Sequence, residues 1–417
     1  MKICVVTLGC KQNKYESDCM ANILKNSGHE ILPSLKVADA YILNTCAVTQ
    51  EAEKKSRQYI AKFNKLNPEC KIIVCGCASQ NNLEQFKGKK NVYSIIGNEG
   101  KEKILDILNS STYEVFDICH TEYPKLYAPT KTTTRAHLKI QDGCNNFCSY
   151  CLIPYLRGRS RSRDIDEIVL EAKELSKHSK EIVLTGIDIS SFKVVGKLGL
   201  EELLTRLMSI PSTIRLGSLE VGVITKSLLE VMVKMPNFAP HFHLSLQSGE
   251  DSVLKKMNRH YTTSEYYEKV CLIRSYFPLA NITTDVIVGF PNETDECFRK
   301  TKEFVDKVKF SFMHIFPYSK REGTQAYKYP DMPKDIKAKR VDELEAINEV
   351  NRVAYLNQFK GAMMEVLLEE TKGEYMVGYT KEYIRVYVLV DNTKVFGDYY
   401  KIKIVDNYLD GVIAEFI

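Results

Sequence analysis

Short apolar runs alternate with amphipathic stretches over residues 1 to about 110. The runs at 3–8, 41–44, 72–75 and 93–96 predict strands, and the periodic stretches at 15–26, 49–65 and 99–108 predict helices. Strand and helix in turn predict a parallel α/β unit. The stretch 118–135 is polar, with Pro124, Pro129 and Thr132 to Thr134, which is linker chemistry. Beyond it, strand-like runs recur at 137–140, 182–184, 214–216, 243–246, 284–288 and 312–316. Helical patterns fall between them at 164–178, 200–209, 225–235, 264–276 and 293–308, the first opening with a capping-box arrangement of Asp164 and Glu167. Six such units fall short of a closed eight-unit barrel and predict an open, curved parallel sheet with its site at the strand C-termini; a complete barrel is the alternative.

After Pro330 and Pro333 a charged helix is expected over 335–359, followed by Gly361. The period then changes to two, and 365–368, 384–388, 400–405 and 412–416 predict strands of a small β-barrel. Three folding units follow: 1–117, 130–360 and 361–417.

Composition narrows the class. At 417 residues, with 44% hydrophobic and 27% charged side chains, the chain has an ordinary globular balance, which argues against wholesale disorder and a polytopic membrane protein. The net charge of +5 decides nothing about a nucleic-acid partner. The N-terminus is apolar only until Lys11, Asn13 and Lys14, too briefly for a signal peptide or membrane span, so a cytoplasmic location is expected. Thirteen cysteines in a reducing compartment point to metal ligation or thiol chemistry before disulfides.

Cys144, Cys148 and Cys151 form a compact triple just after the first strand of the middle unit. Three thiolates on one loop can hold three irons of a 4Fe-4S cluster, leaving the fourth open to a small molecule. Zinc is the alternative, although the matching second cysteine pair is missing. Cys10, Cys46 and Cys77 each follow a predicted strand of the first unit, so one sheet edge can bring them together. Buried, unreactive cysteine is the bland alternative for each. Cys75 lies two residues before Cys77 and competes for the third place.

The triple, with Tyr150 inside it and six βα units around it, resembles the radical S-adenosylmethionine superfamily over about 135–330. The segments Leu8-Gly9-Cys10-Lys11-Gln12-Asn13-Lys14-Tyr15-Glu16-Ser17, Asn44-Thr45-Cys46-Ala47-Val48-Thr49 and Gly76-Cys77-Ala78-Ser79-Gln80 look like the N-terminal part of the methylthiotransferases. The final barrel looks like a TRAM RNA-binding domain. The Lys11, Tyr15 and Glu16 pattern and the run Arg157-Gly158-Arg159-Ser160-Arg161-Ser162-Arg163 most resemble the branch acting on N6-threonylcarbamoyladenosine in tRNA. The segment Gly186 to Ser191 departs from that branch in lacking a later glycine and tyrosine.

The resemblance implies two 4Fe-4S clusters, a radical-generating one on Cys144, Cys148 and Cys151 and an auxiliary one on Cys10, Cys46 and Cys77. It also implies S-adenosylmethionine as cofactor, tRNA held at its anticodon stem-loop, an electron donor such as flavodoxin or ferredoxin, and a sulfur source. The implied reaction places sulfur and a methyl group at carbon 2 of the adenosine at position 37. The same chemistry on isopentenyladenosine or on a ribosomal-protein side chain is the rival, and a non-catalytic iron-sulfur or zinc RNA-binding protein is a third possibility. A monomer without membrane attachment is expected.

Strand C-termini place Gly186, Asp188, Ser218, Glu220, Gln247 and Gly289 near the cofactor, together with Tyr150; the bland reading is that they are turns and caps. Arg157, Arg159, Arg161 and Arg163 could hold an RNA backbone, or pair with the acidic helix that follows. Tyr379, Tyr383 and Arg385, with Tyr375 and Tyr387, interleave aromatic and basic groups as single-stranded RNA surfaces do.

Overall fold

The computed structural model describes residues 1–116, 118, 123, 126, 134–194 and 199–417; most of the polar stretch 118–135, with the expected boundaries at 117 and 130, lies outside them. Lys2–Thr7, Ala40–Thr45, Lys71–Gly76 and Val92–Ile96 run parallel in one sheet, with the two-residue strands Glu30–Ile31 and Tyr113–Glu114 at its edges. Its central strands are continuous apolar runs because helices cover both faces. Tyr41, Leu43, Ile72 and Val74 pack under Ile60 and Phe63 of the helix Gln50–Leu66, with Tyr41 stacked on Phe63 at 4.3 Å. Ala40, Ile42, Ile73 and Cys75 pack on the opposite face against Met20, Leu24 and Ile104.

Arg135–Lys139, Glu181–Thr185 and Thr213–Leu216 form one parallel triplet; His241–His243, Asn281–Val288 and Phe312–Pro317 form another. Parallel bridges Ile214 to Phe238 and Leu219 to Leu244 join them into a single curved sheet in chain order. Alternate residues Leu138, Leu184, Leu216, Leu244 and Ile282 face the surrounding helices. The residues between them, His137, Val183 and Arg215 among them, line the hollow. Among the described residues the first and last strands do not pair, so the barrel is open with six units, as its βα count predicts.

Asp164 caps the helix Ile165–Ser176 through the amides of Asp166 and Glu167, but the expected reciprocal bond from Glu167 is replaced by a contact with Arg163 at 3.4 Å. The helix Lys334–Asn357 lies along the last barrel strand, where Asn348 bonds both the amide and the carbonyl of Met313, at 2.8 and 3.0 Å. That contact covers part of an otherwise open sheet edge.

The chain ends in a closed five-stranded barrel of Met363–Lys372, Tyr375–Tyr379, Arg385–Leu389, Gly411–Phe416 and Tyr399–Tyr408. Tyr375–Tyr379 was not among the predicted strands. A Cβ at Gly378 would lie 2.1 Å from the Leu367 carbonyl oxygen, so close backbone approach requires a glycine that interrupts the β pattern.

Candidate active site

Cys10, Cys46 and Cys77 each stand just past the C-terminal end of a parallel strand, at one edge of the first sheet. Gly9 makes their approach possible: its φ is +97°, and a Cβ there would lie 2.7 and 2.8 Å from Cβ and Sγ of Cys46. Gly76, at φ +100°, turns the chain out of its strand and brings Cys77 to the same edge. Cys75 instead faces the core, fully buried, its thiol pushed up to about 12 by desolvation. Cys10 is exposed at this edge, yet desolvation by its surroundings raises its thiol; burial pushes Cys46 to about 11, and each of the two is raised further by its fellow thiols.

The donors around these sulfurs suit metal-bound thiolates. Val48 N–H donates to Cys46 Sγ at 3.5 Å and Asn98 Nδ2 to Cys77 Sγ at 3.6 Å. Cys144, Cys148 and Cys151 follow the first barrel strand and receive Asn146 N–H, an Arg259 guanidinium N–H and Ile153 N–H, each at 3.4 Å. Burial comes first, and mutual repulsion adds to it, in driving the Cys144 and Cys151 thiols to about 12. Protonated thiols would make poor acceptors for so many N–H groups, whereas iron deprotonates its ligands and N–H···S bonds tune the cluster. Both trios therefore fit an iron-sulfur cluster.

A buried charge network joins the two trios. Arg157 is 1% exposed and donates to both carboxylate oxygens of Glu16, at 2.8 and 3.2 Å, to Asn13 Oδ1 at 2.6 Å and to Asp142 at 3.2 Å. Lys139 bonds Glu16 at 2.9 Å and Asp142 at 2.7 Å, and Lys101 adds a third cation to Glu16. These cations outweigh the desolvation that would raise a buried carboxyl: Glu16 is held well below the usual range and Asp142 at about 2.

Around the second trio, Gln141 fastens two loops. Its Nε2 donates to the Gly143 carbonyl at 2.6 Å, and its Oε1 accepts from the amides of Ile187 and Asp188 at 3.0 and 2.8 Å. Asp188 accepts from Asn146 Nδ2 at 3.2 Å, and desolvation raises its carboxyl. Glu220 is paired with Arg259, which also donates to the Ser245 carbonyl at 3.2 Å. Gly186 abuts Gln141, and Gln247 adopts φ +67° as it bridges to Val286. Tyr150 packs edge-on to Phe290 at 6.4 Å beside the trio, and Ser218 is exposed. Gly289 meets the helix Lys334–Asn357, where a Cβ would lie 2.5 Å from Lys337.

Residues 2–97 match the Uncharacterized protein family UPF0004, and residues 138–305 match the Radical SAM superfamily. The chain is 38% identical over 95% of its length to the threonylcarbamoyladenosine tRNA methylthiotransferase MtaB of Bacillus subtilis, covering 92% of that protein. It is 38% identical to the protein of the same name from Aquifex aeolicus over 89% of its length and 93% of the relative. The chain belongs to the radical S-adenosylmethionine methylthiotransferases. A tRNA-2-methylthio-N(6)-dimethylallyladenosine synthase of Geobacillus thermodenitrificans is 33% identical over 91% of this chain and 77% of its own. The solved structure of the radical S-adenosylmethionine methyltransferase TsrM from Kitasatospora setae shares the fold, with a TM-score of 0.56 and 12% identity over 76% of this chain and 74% of that one. As a methylthiotransferase of this superfamily the chain is an enzyme that uses S-adenosylmethionine and a 4Fe-4S cluster.

The expected RNA contacts of this methylthiotransferase need correction. Arg157 is sealed in the charge network, and Arg163 is buried against Glu171, so neither reaches a phosphate. Arg161 lies half-buried near Glu99, at 3.6 Å, and donates to the Arg157 carbonyl at 3.0 Å. Arg159 remains exposed, 4.4 Å above the Phe147 ring. Tyr379 and Tyr383 stack on each other at 4.6 Å, and Arg135 and Arg215 sit over them at the lower end of the open barrel. They pack the final barrel onto the core, half-buried in that seam. Arg385 pairs with Asp410 at 2.8 Å. Sequence reasoning missed Arg259, Gln141 and Lys139, whose partners lie far away along the chain.

Proposed function

We propose that this enzyme inserts sulfur and then a methyl group at carbon 2 of N6-threonylcarbamoyladenosine at position 37 of tRNA, giving the 2-methylthio derivative. The observation that carries the reading is the pair of thiol trios, each ringed by N–H donors, at the strand ends of two sheets clamped together by Glu16 and Arg157. Cys144, Cys148 and Cys151 would hold one 4Fe-4S cluster, and Cys10, Cys46 and Cys77 a second. With an electron supplied by a donor such as flavodoxin or ferredoxin, bound S-adenosylmethionine would furnish a 5′-deoxyadenosyl radical, which suits an aromatic C–H bond with no acidic proton for a base to take.

The chain's own groups orient and shield. Arg259 steadies Cys148 and Glu220, Gln141 fixes the loops of Gly143 and Asp188, and Asp188 and Glu220 offer carboxylates to an ammonium or to ribose hydroxyls. The units 1–117, 130–360 and 361–417 would act as auxiliary-cluster, radical and TRAM RNA-binding domains of a cytoplasmic monomer. Support for the threonylcarbamoyl substrate is the name carried by the two relatives at 38% identity; the dimethylallyl substrate is the second reading, on the strength of the Geobacillus relative.

The test has two parts. Cys148→Ala should abolish reductive cleavage of S-adenosylmethionine, whereas Cys46→Ala should retain cleavage but yield no thiolated nucleoside; normal product from either variant rejects these roles. Mass spectrometry of tRNA nucleosides from a deletion strain should show loss of the methylthio threonylcarbamoyl nucleoside, and an unchanged profile rejects the substrate.

A further inference from the structure

Three neighbouring strands of the open barrel each turn one metal-binding side chain into the hollow: His243 from His241–His243, Asp285 from Asn281–Val288 and His314 from Phe312–Pro317. Their chain neighbours Phe242, Leu244, Val286 and Met313 point the other way, into the core. The parallel register sets His243 against Thr283 and Asp285 against His314, so strand alternation puts all three on one face within a single step of the ladder. One ligand atom from each lies within 4.8 Å of the other two, and the His243 and His314 rings are 5.8 Å apart. The group shares no residue with either cysteine trio.

The hydrogen bonds around the group suit an ion. Thr283 Oγ1 lies 2.9 Å from His243 Nδ1 and 3.0 Å from His241 Nε2. With two lone pairs the hydroxyl can accept an N–H from both rings, the outer support by which a ligating histidine has its tautomer fixed. His243 Nε2 then presents a lone pair to Asp285 Oδ2 at 3.2 Å. Two electron-rich atoms this close need a proton or a metal ion between them. A proton would serve that pair and give His314 no part, whereas an ion engages all three. Ligands held about 2.0 to 2.1 Å from zinc stand about 3.3 Å apart, so the His243–Asp285 spacing already fits and rotation of the exposed His314 closes the rest. The further charges acting on His314, Glu345 and Lys11, are of opposite sign, which leaves Asp285 to supply the negative charge.

We propose that His243, Asp285 and His314 form a binding site for a divalent first-row transition ion, zinc or iron(II), with coordination positions left open toward the hollow. Two imidazoles and one carboxylate on one side of an ion match the preference of these metals, whereas magnesium and calcium take mostly oxygen. The site is within reach of an entering ion: the His243 side chain is 13% and that of Asp285 29% exposed, and His314 lies on the last strand, at the open side of the barrel. Ser245, whose carbonyl receives Arg259, stands two residues, about 7 Å, beyond His243 toward the barrel-loop trio. The ion therefore belongs in the hollow below that trio, where its open positions accept an oxygen from a molecule that enters. The inference needs no choice between tRNA substrates.

Zinc is the probe, added anaerobically to the full-length enzyme carrying both clusters and dialysed to equilibrium at micromolar free zinc. One zinc ion per chain should be retained. Its X-ray absorption should show nitrogen and oxygen ligands at about 2.0 to 2.1 Å and no sulfur at about 2.3 Å, which separates this site from zinc held by cysteine thiols. His314→Ala, at an exposed position, and Asp285→Asn should each weaken zinc by about a hundredfold or more, and Thr283→Val, which removes only the outer support, by about tenfold. Iron and sulfide content should be equal in all four proteins. A wild type that retains no zinc, zinc on sulfur, or retention undiminished in His314→Ala overturns the inference. Iron content and cleavage of S-adenosylmethionine, measured on the same samples, report separately on the functional reading above.

Discussion

Glu16 is 2% exposed and carries three cations on its carboxylate, so its charge is stable only while they surround it. Its folded pKa, like that of Asp142, lies below the unfolded value. The stability they contribute is therefore complete above about pH 5 and is lost as pH falls through the folded values, toward about 2 for Asp142. The thermal midpoint of the cluster-free chain should hold its plateau down to about pH 5 and then fall. Glu16→Gln should lower the plateau, because it strands buried cations, and should flatten the acid limb; circular dichroism melts across pH measure both. The sequence displayed four arginines at alternate positions, a pattern equally apt for a phosphate comb. It could not display that Arg157 answers a carboxylate 141 residues earlier, since no local spacing encodes a partner in another sheet.

At the scale of elements, legibility followed locality. Cys144, Cys148 and Cys151 share one loop, and Cys10, Cys46 and Cys77 each end a predicted strand, so parallel topology alone brings each set to one edge. The choice of Cys77 over Cys75 needed the turn at Gly76, where a Cβ would lie 2.5 Å from Asn44 Oδ1. Tyr375–Tyr379 escaped notice because Gly378 answers to barrel closure, a constraint invisible to periodicity. The tight turn at Gly9 gives a direct expectation. Gly9→Ala forces a side chain into Cys46 at a positive φ, so the variant should lose the iron of the first-sheet trio and keep that of the barrel loop. Total iron should fall to about half with cleavage of S-adenosylmethionine retained, as iron analysis and product assay would show; full iron content counts against this account of the turn.

Across the whole molecule, the final barrel is held to the core by aromatic and charged contacts at the lower ends of the core strands. Tyr383 stacks on His241 at 4.9 Å and lies 4.5 Å from Arg215, and Asn281 Nδ2 donates to the Glu382 carbonyl at 2.7 Å. Tyr383→Ala should cost about 3 kcal/mol and loosen this seam. Limited proteolysis should then release a fragment beginning near Gly361 faster than from the wild type, and an unchanged cleavage rate would mean that the seam is held elsewhere. The six-unit barrel was readable from repeated βα periodicity; its docking to the last domain was not, because strand-favouring tyrosines look the same whether they stack on bases or on a neighbouring domain.

The clamp of Glu16, Arg157 and Lys139 has a final consequence. It ties the sheet bearing one set of sulfurs rigidly to the barrel bearing the other, so neither can swing toward a distant target. The nucleic acid must make the journey: a purine has to leave its stack and enter base-first, at an unstacking cost of about a few kcal/mol that is smallest where no paired strand holds it. A hairpin loop meets that condition, and the interior of a duplex does not.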